Sequence, residues 1–441
     1  MGVLNTILYF LITIVILVFV HEFGHFIAAK MCKMRVDKFY LFFDFFNLRI
    51  FKFVKGETEY GIGLFPLGGY VKVAGMIDES MDKEFINKPP QPWEFRSKPV
   101  YQRMIVITGG VIMNTLLAFL IFYTLALVQG RTRMETTTVG YVSNGSVAEK
   151  SGIKTGDKIL AINGKQVLYW DEIRTDVFIE NMGEDLDIKV DRNGETKNIF
   201  IHKGDLRDIN ERVLGVFPTD MQTEIMQVVP GKPASKIGLI PGDVITEANG
   251  IAITNSQQFI DILKSSANNN LSLKWVRNGQ ELSAVVKPDA DSTLGIGVGK
   301  YVGSIKKINY NVISAVPEGF SDLYNYGVVL FLKSMWKIIK GDIAFSKAVG
   351  GPIKIAQYAG QSAEGGFLSF LGFMAMLSIT LAVINILPFP ALDGGHFVFL
   401  VYEGIFRKPV SHKVQIAVQN IGFIILMLFM AFVVYNDIIH I

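Results

Sequence analysis

The chain has 441 residues, 50% hydrophobic and 19% charged, with a formal net charge of +3. At about 150 residues per domain this is roughly three domains' worth of chain, too apolar for an ordinary soluble protein and too rich in large apolar residues for disorder, so part of it belongs in lipid. The small net charge, with no basic cluster interleaved with aromatics, excludes a nucleic-acid surface, and the single cysteine, Cys32, excludes an intrachain disulfide and any cysteine-built metal or redox site.

In chain order, the first apolar run is Ile7 to Val20, continuing through Phe26, Ile27, Ala28 and Ala29. It is long enough to cross a bilayer, which takes about 20 residues at 1.5 Å rise each. Met1 to Thr6 holds no Lys or Arg and the segment ends in charged residues, so it reads as an uncleaved span and not as a signal peptide. It carries His21-Glu22-Phe23-Gly24-His25, an HExxH string. On a helix, residues four apart lie on one face, so both imidazoles can reach one ion, and Glu22 sits beside them as general base for a metal-activated water. Ionisable groups set this close together in an apolar run are costly in lipid unless they are paired or bind a metal. Zn2+ suits such ligands, and the missing cysteines leave His, Asp and Glu to hold it.

Thr58 to Met76 contains Glu59-Tyr60-Gly61-Ile62-Gly63-Leu64, a Phe65-Pro66-Leu67-Gly68 turn and Gly69-Tyr70-Val71-Lys72-Val73. The pattern predicts a membrane-associated β-hairpin over about 57–76 with glycines at close-approach positions. Its free edge is expected to pair with an extended substrate, which makes Gly61, Gly63 and Tyr70 the substrate-binding positions there. Met104 to Val128 is the second span, in which Gly109, Gly110 and Asn114 read as close-packing and interhelical hydrogen-bond positions.

Beyond that span the sequence repeats at about 86 residues. Gly152-Ile153-Lys154-Thr155-Gly156-Asp157 matches Gly238-Leu239-Ile240-Pro241-Gly242-Asp243, Asn163-Gly164 matches Asn249-Gly250, and Arg192-Asn193-Gly194-Glu195 resembles Arg277-Asn278-Gly279-Gln280. Asn-Gly pairs between β-branched runs mark tight hairpin turns, so each copy is expected to be mostly strands with one or two short helices. Asn309 to Lys340 is amphipathic in places and suits the outer membrane interface. The third span is Phe367 to Leu387 and the fourth is Ile416 to Val434.

Two His do not complete a catalytic zinc site, which takes three protein ligands. The third is sought in Asn385 to His396, where prolines break the helix and Gly394-Gly395 let the backbone turn at membrane depth. Asp393 and His396 are both open on spacing alone. Basic residues set the orientation. Lys30, Lys33, Arg35 and Lys38, then Arg96, Lys98 and Arg103, flank the segment between spans one and two, and Arg407, Lys408 and Lys413 lie between spans three and four. Those segments are expected in the cytoplasm, with both termini and the repeat region outside.

The repeat pattern, a Gly-Leu-like pair, Gly-Asp, a strand and Asn-Gly, resembles the PDZ domain of bacterial membrane proteases. HExxH in the first span together with Asn385-x-x-Pro388-x-Pro390-x-Leu392-Asp393-Gly394-Gly395 after the third resembles the site-2 protease family of intramembrane zinc metalloproteases, in its regulator-of-sigma-E group. The resemblance covers nearly the whole chain. It implies a polytopic α-helical membrane protein of four transmembrane helices with two tandem PDZ domains. Residues 1–128 would hold spans one and two, 129–221 and 222–308 the PDZ domains, 309–366 an interface linker, and 367–441 spans three and four.

The resemblance also implies that His21, His25 and Asp393 bind one zinc per chain, that Glu22 is the catalytic base and that Asn385 helps to hold substrate. The site would lie towards the cytoplasmic side of a bacterial inner membrane. Implied substrates are single-span proteins such as anti-sigma factors already trimmed on the outer side, and remnant signal peptides. The PDZ domains would capture a peptide or bar a bulky ectodomain. The rival reading is a membrane-anchored PDZ adaptor that keeps the metal site without turnover. Glu22 separates the two, since an adaptor has no use for a base beside the two His.

Overall fold

A computed structural model describes residues 3–44, 48–76, 89–177, 181, 184–206, 214–266, 269–289, 292–340 and 350–439. The last residues of both tails expected outside the cell, 1–2 and 440–441, lie beyond these. The chain divides into two units, Met1–Gly130 with Asn309–Ile441, and Arg131–Ile308.

The first unit begins with α1 (Val3–Met31), apolar around its whole circumference. Four strands follow, β1 (Val36–Phe43), β2 (Arg49–Lys55), β3 (Thr58–Gly63) and β4 (Phe65–Val73), then α2 (Val100–Gln129). Pro99 precedes α2 and Gly130 ends it at φ 65°, a left-handed conformation that glycine adopts without strain. The strand order β2-β3-β1-β4 corrects the expected hairpin, because β3 and β4 do not pair. β1 lies between them, parallel to β3 with Tyr40 opposite Gly61, and antiparallel to β4 with Tyr40 opposite Tyr70. Only Leu64 joins β3 to β4, too little for a two-residue turn, so the chain passes over the end of β1. The actual hairpin is β2 with β3, turned at Gly56, where φ is 64°.

In the second unit, β5 (Arg131–Met134) pairs antiparallel with β18 (Ile305–Ile308), the first strand against the last. Between them the repeat is expressed twice. The first copy holds β6 (Val139–Val142), α3 (Val147–Lys150), β7 (Lys158–Ile162), β8 (Lys165–Gln166), α4 (Trp170–Thr175), β9 (Leu186–Arg192), β10 (Glu195–Ile201) and β11 (Val216–Pro218). The second holds β12 (Met221–Val228), α5 (Pro233–Lys236), β13 (Val244–Ala248), β14 (Ile251–Ala252), α6 (Ser256–Ser265), β15 (Leu271–Arg277), β16 (Gln280–Val286) and β17 (Ile296–Tyr301). The sheet orders β10-β9-β7-β8 and β16-β15-β13, with β14 on β13, run in step, and so do the pairs β11-β6 and β17-β12. Each copy encloses its own apolar core, one around Ile162, Leu186, Ile188 and Ile201, the other around Ile225, Ile245, Phe259 and Leu271.

The quoted motifs are the local reason for this likeness. Asn163 and Asn193, with Asn249 and Asn278, take positive φ beside a glycine, as tight hairpin turns require. Asp157 is buried and paired with Arg192, whose Nη2 also donates to the Gly152 carbonyl at 2.6 Å. Asp243, Arg277 and Gly238 repeat the arrangement. The matched Gly-Asp and Arg-Asn-Gly strings are thus two halves of one ion-paired clamp.

Back in the first unit, α7 (Ala315–Asp322), a π-helical stretch Leu323–Val329 and α8 (Leu330–Lys340) make up the amphipathic segment. Then come α9 (Pro352–Glu364), α10 (Phe367–Ile386), α11 (Asp393–Phe406) and α12 (His412–Ile439). Among the described residues, α1, α2, α10 and α12 are long and apolar enough to cross a membrane. Between spans three and four, where the sequence reading expects no helix, lies α11, whose Phe397 to Tyr402 run is too short to read as a span. One core joins α1, the sheet, α2 and α11 through Ala29, Val36, Val71, Ile107 and Leu400, and a second joins α2, α9 and α10.

Candidate active site

The HExxH string lies inside α1, so His21 and His25 share a face and their rings meet edge to face with centroids 4.8 Å apart. Glycines bring α2 against that face. A β-carbon at Gly24 would run into the Gly109 carbonyl, and one at Gly110 would meet the His21 and His25 rings. Asp393 arrives from the far end of the chain. α10 stops at Ile386, before Pro388, and residues 387–392 form a non-helical turn with Ala391 at φ 72°. Gly394 and Gly395 let the first turn of α11 fold back on that segment, since side chains there would strike the Leu387 and Phe389 carbonyls. This places Asp393 at the start of α11, facing α1.

The result is a tight triangle. Asp393 Oδ2 lies 3.2 Å from His21 Nε2 and 3.3 Å from His25 Nε2, and the two Nε2 atoms are 3.2 Å apart. Zinc bonds of about 2.0–2.1 Å at tetrahedral angles separate ligand atoms by about 3.3 Å, so the spacing fits zinc. The donor chemistry fits as well. His25 Nδ1–H donates to the Val106 carbonyl at 2.8 Å, which turns the Nε2 lone pair of that ring towards Asp393. Asp393 Oδ2 is buried and accepts no hydrogen bond. A carboxylate oxygen and an imidazole lone pair facing each other without a proton call for a cation.

His396, the other ligand left open by spacing, lies one turn further along α11, with its Nε2 2.7 Å from Gln419 Nε2 on α12 and outside the triangle. Glu22 is buried beside the sheet, where a β-carbon at Gly69 of β4 would lie 2.8 Å from its Cγ. Asn385 on the last turn of α10 has its Nδ2 3.4 Å from His21 Nε2. Gly61 and Gly63 lie in β3, inside the sheet, where missing side chains make room for the Tyr40 ring and the Phe42 and Phe43 carbonyls. Tyr70 is on β4, the edge strand, buried with its ring stacked on Tyr40 and its hydroxyl donating to Asp44 at 2.8 Å. Among the described residues the open edge beside the site therefore belongs to β4, and Gly69 is the residue that sequence reasoning quoted without choosing it as a binding position. Its only signal was a second glycine after Gly68.

A helix-borne HExxH motif, a distant aspartate closing the triangle and apolar helices around it define a membrane-embedded metallopeptidase. The model of peptidase family M50 matches residues 9–429. The chain is 32% identical over 456 residues to a Neisseria meningitidis serogroup A protein named as a zinc metalloprotease, covering 99% of both. It is 32% identical over 448 residues to the regulator of sigma-E protease RseP of Escherichia coli strain K12, covering 97% of both, and 31% identical over 462 residues to protease RseP of Yersinia pestis, covering 99% of both. The chain belongs to peptidase family M50 and is a metalloprotease of the site-2 type. A solved PDZ domain of the SdrC-like protein of Listeria monocytogenes is 29% identical over 17% of this chain and 85% of its own, with a TM-score of 0.16. That score is too low to assign a fold.

Proposed function

We propose that this chain is an intramembrane zinc endopeptidase that cuts the transmembrane segment of single-span membrane proteins, with His21, His25 and Asp393 holding one zinc ion and Glu22 as the catalytic base. The observation that carries the reading is the approach of Asp393 Oδ2 to both imidazoles, across more than 360 residues of sequence, beside Glu22. Zinc held there supplies Lewis-acid activation of water at neutral pH. Glu22 takes the proton from the attacking water and delivers it to the leaving amine. A substrate helix arrives with its amides satisfied internally, so its backbone must open before attack. The β4 edge, led by Gly69 and Tyr70, pairs with the opened strand. Asn385, beside His21, hydrogen-bonds the substrate backbone as well.

The family resemblance points to anti-sigma factors as substrates, after a first extracytoplasmic cut, and to remnant signal peptides. The two copies in the second unit act as tandem PDZ domains outside the membrane, with both termini on that side and the zinc towards the cytoplasm. The distribution of Lys and Arg supports that orientation. The test is zinc stoichiometry together with cleavage of one single-span substrate by the purified full chain. Glu22→Gln should abolish cleavage and keep about one zinc per chain. Retained cleavage would give the base role to another group.

A further inference from the structure

A metal-binding imidazole presents one nitrogen to the ion, and the hydrogen bond made by the other sets tautomer and ring angle. For His25 that partner is the Val106 carbonyl on α2. For His21 the atom facing Nδ1 is the Asn114 side-chain amide, also on α2, at 3.3 Å. Asn114 is completely buried. Its Oδ1 accepts no hydrogen bond. Its backbone carbonyl is held by the Ser378 hydroxyl of α10 at 2.8 Å, which fixes the position from which the side chain starts.

Nδ2 rather than Oδ1 faces Nδ1, which suits only the tautomer with its proton on Nε2, the nitrogen inside the triangle. Half a turn of the amide exchanges O and N within almost the same shape. Oδ1 then accepts from Nδ1–H, and the Nε2 lone pair is left for the metal. We infer that Asn114 is a positioning residue for the metal centre, one that accepts a hydrogen bond from His21 Nδ1 and holds that ring in its ligating tautomer. Both imidazoles would then be oriented by α2, His25 through main chain and His21 through a side chain. The inference rests on the zinc reading proposed above.

The two ideas fail separately in one experiment. The zinc dissociation constant of the detergent-solubilised full chain is measured by competition with a chromogenic chelator, for wild type, His25→Ala, Asn114→Leu and Asn114→Asp. Thermal unfolding of each metal-free protein reports folding. Tight zinc binding by wild type that is lost in His25→Ala supports the metal site itself. Asn114→Leu, similar in shape but without an acceptor, should weaken zinc about 10- to 100-fold while melting near wild type when metal-free. Asn114→Asp keeps the acceptor and should stay within about 3-fold of wild type or bind tighter, a rescue that a packing role would not give. Wild-type affinity in Asn114→Leu overturns the inference. Equal weakening in both variants, with normal melting of the metal-free proteins, does so too. Where the buried charge of Asn114→Asp prevents folding, the Asn114→Leu result decides alone.

Discussion

Gly110 sets how near α2 comes to the ligand rings, since a β-carbon there would lie 2.5 Å from His25 Nε2. Gly110→Ala has to displace either the helix or the imidazoles, and a displacement near 1 Å in such a site costs about 100-fold in rate. The expected outcome is a cleavage rate lowered to that extent while the protein still inserts and purifies, read by single-turnover cleavage. The HExxH string was legible because helical periodicity alone puts two imidazoles on one face. What Gly110 and Asn114 face was not legible, because it depends on the register at which α1 and α2 cross. The Gly-Asp and Arg-Asn-Gly strings stood out as a repeat, but their pairing across strands needed coordinates. Burial pushes the Asp157 carboxyl up, and the hydrogen bonds from Arg192 and the Lys154 amide outweigh it, leaving the carboxyl below the ordinary range. A group depressed in the folded state stabilises above its unfolded value, about 3.9, and that contribution disappears as pH falls through the lower folded value. Unfolding of the wild-type chain should therefore steepen below about pH 4, and Asp157→Asn should flatten that limb, as followed by tryptophan fluorescence.

Elements show the same division between local pattern and long-range pairing. The four long apolar helices follow from run length, whereas the four-stranded sheet does not, because β1 enters between β3 and β4 from 21 residues upstream of its β3 partners and no periodicity announces a parallel neighbour. α11 was missed because a 14-residue apolar helix behind a Pro-Gly-Gly stretch resembles a loop. What the Gly350-Gly351-Pro352 string meets is not legible in the sequence either. Asp437, buried on the last turns of α12, accepts from the Gly351, Ile353 and Lys354 amides at 2.9 to 3.1 Å and so caps α9 from a different helix. A carboxylate at a helix N-terminus satisfies amides that have no partner within the helix and complements the helix dipole. Asp437→Ala leaves those amides without their acceptor and should lower stability by about 2 kcal/mol, seen as a lower Tm in detergent.

For the whole molecule, the division at Gly130 and Asn309 separates a helical unit that carries every group in the triangle from a β-rich unit that carries none. If the β-rich unit screens substrates by bulk, then joining Gly130 to Asn309 should let the remaining chain cut an untrimmed single-span substrate that the full chain refuses. Continued refusal, with trimmed substrate still cleaved, would end the screening idea. The antiparallel match of Arg131 with Ile308 makes that surgery gentle. Paired backbones lie about 5 Å apart, so the cut ends can be sutured with a pair of glycines, and a foreign domain whose own termini sit side by side could be grafted onto the same stump. Any domain exchanged at that junction would leave the triangle untouched, because all three of its groups belong to the helical unit.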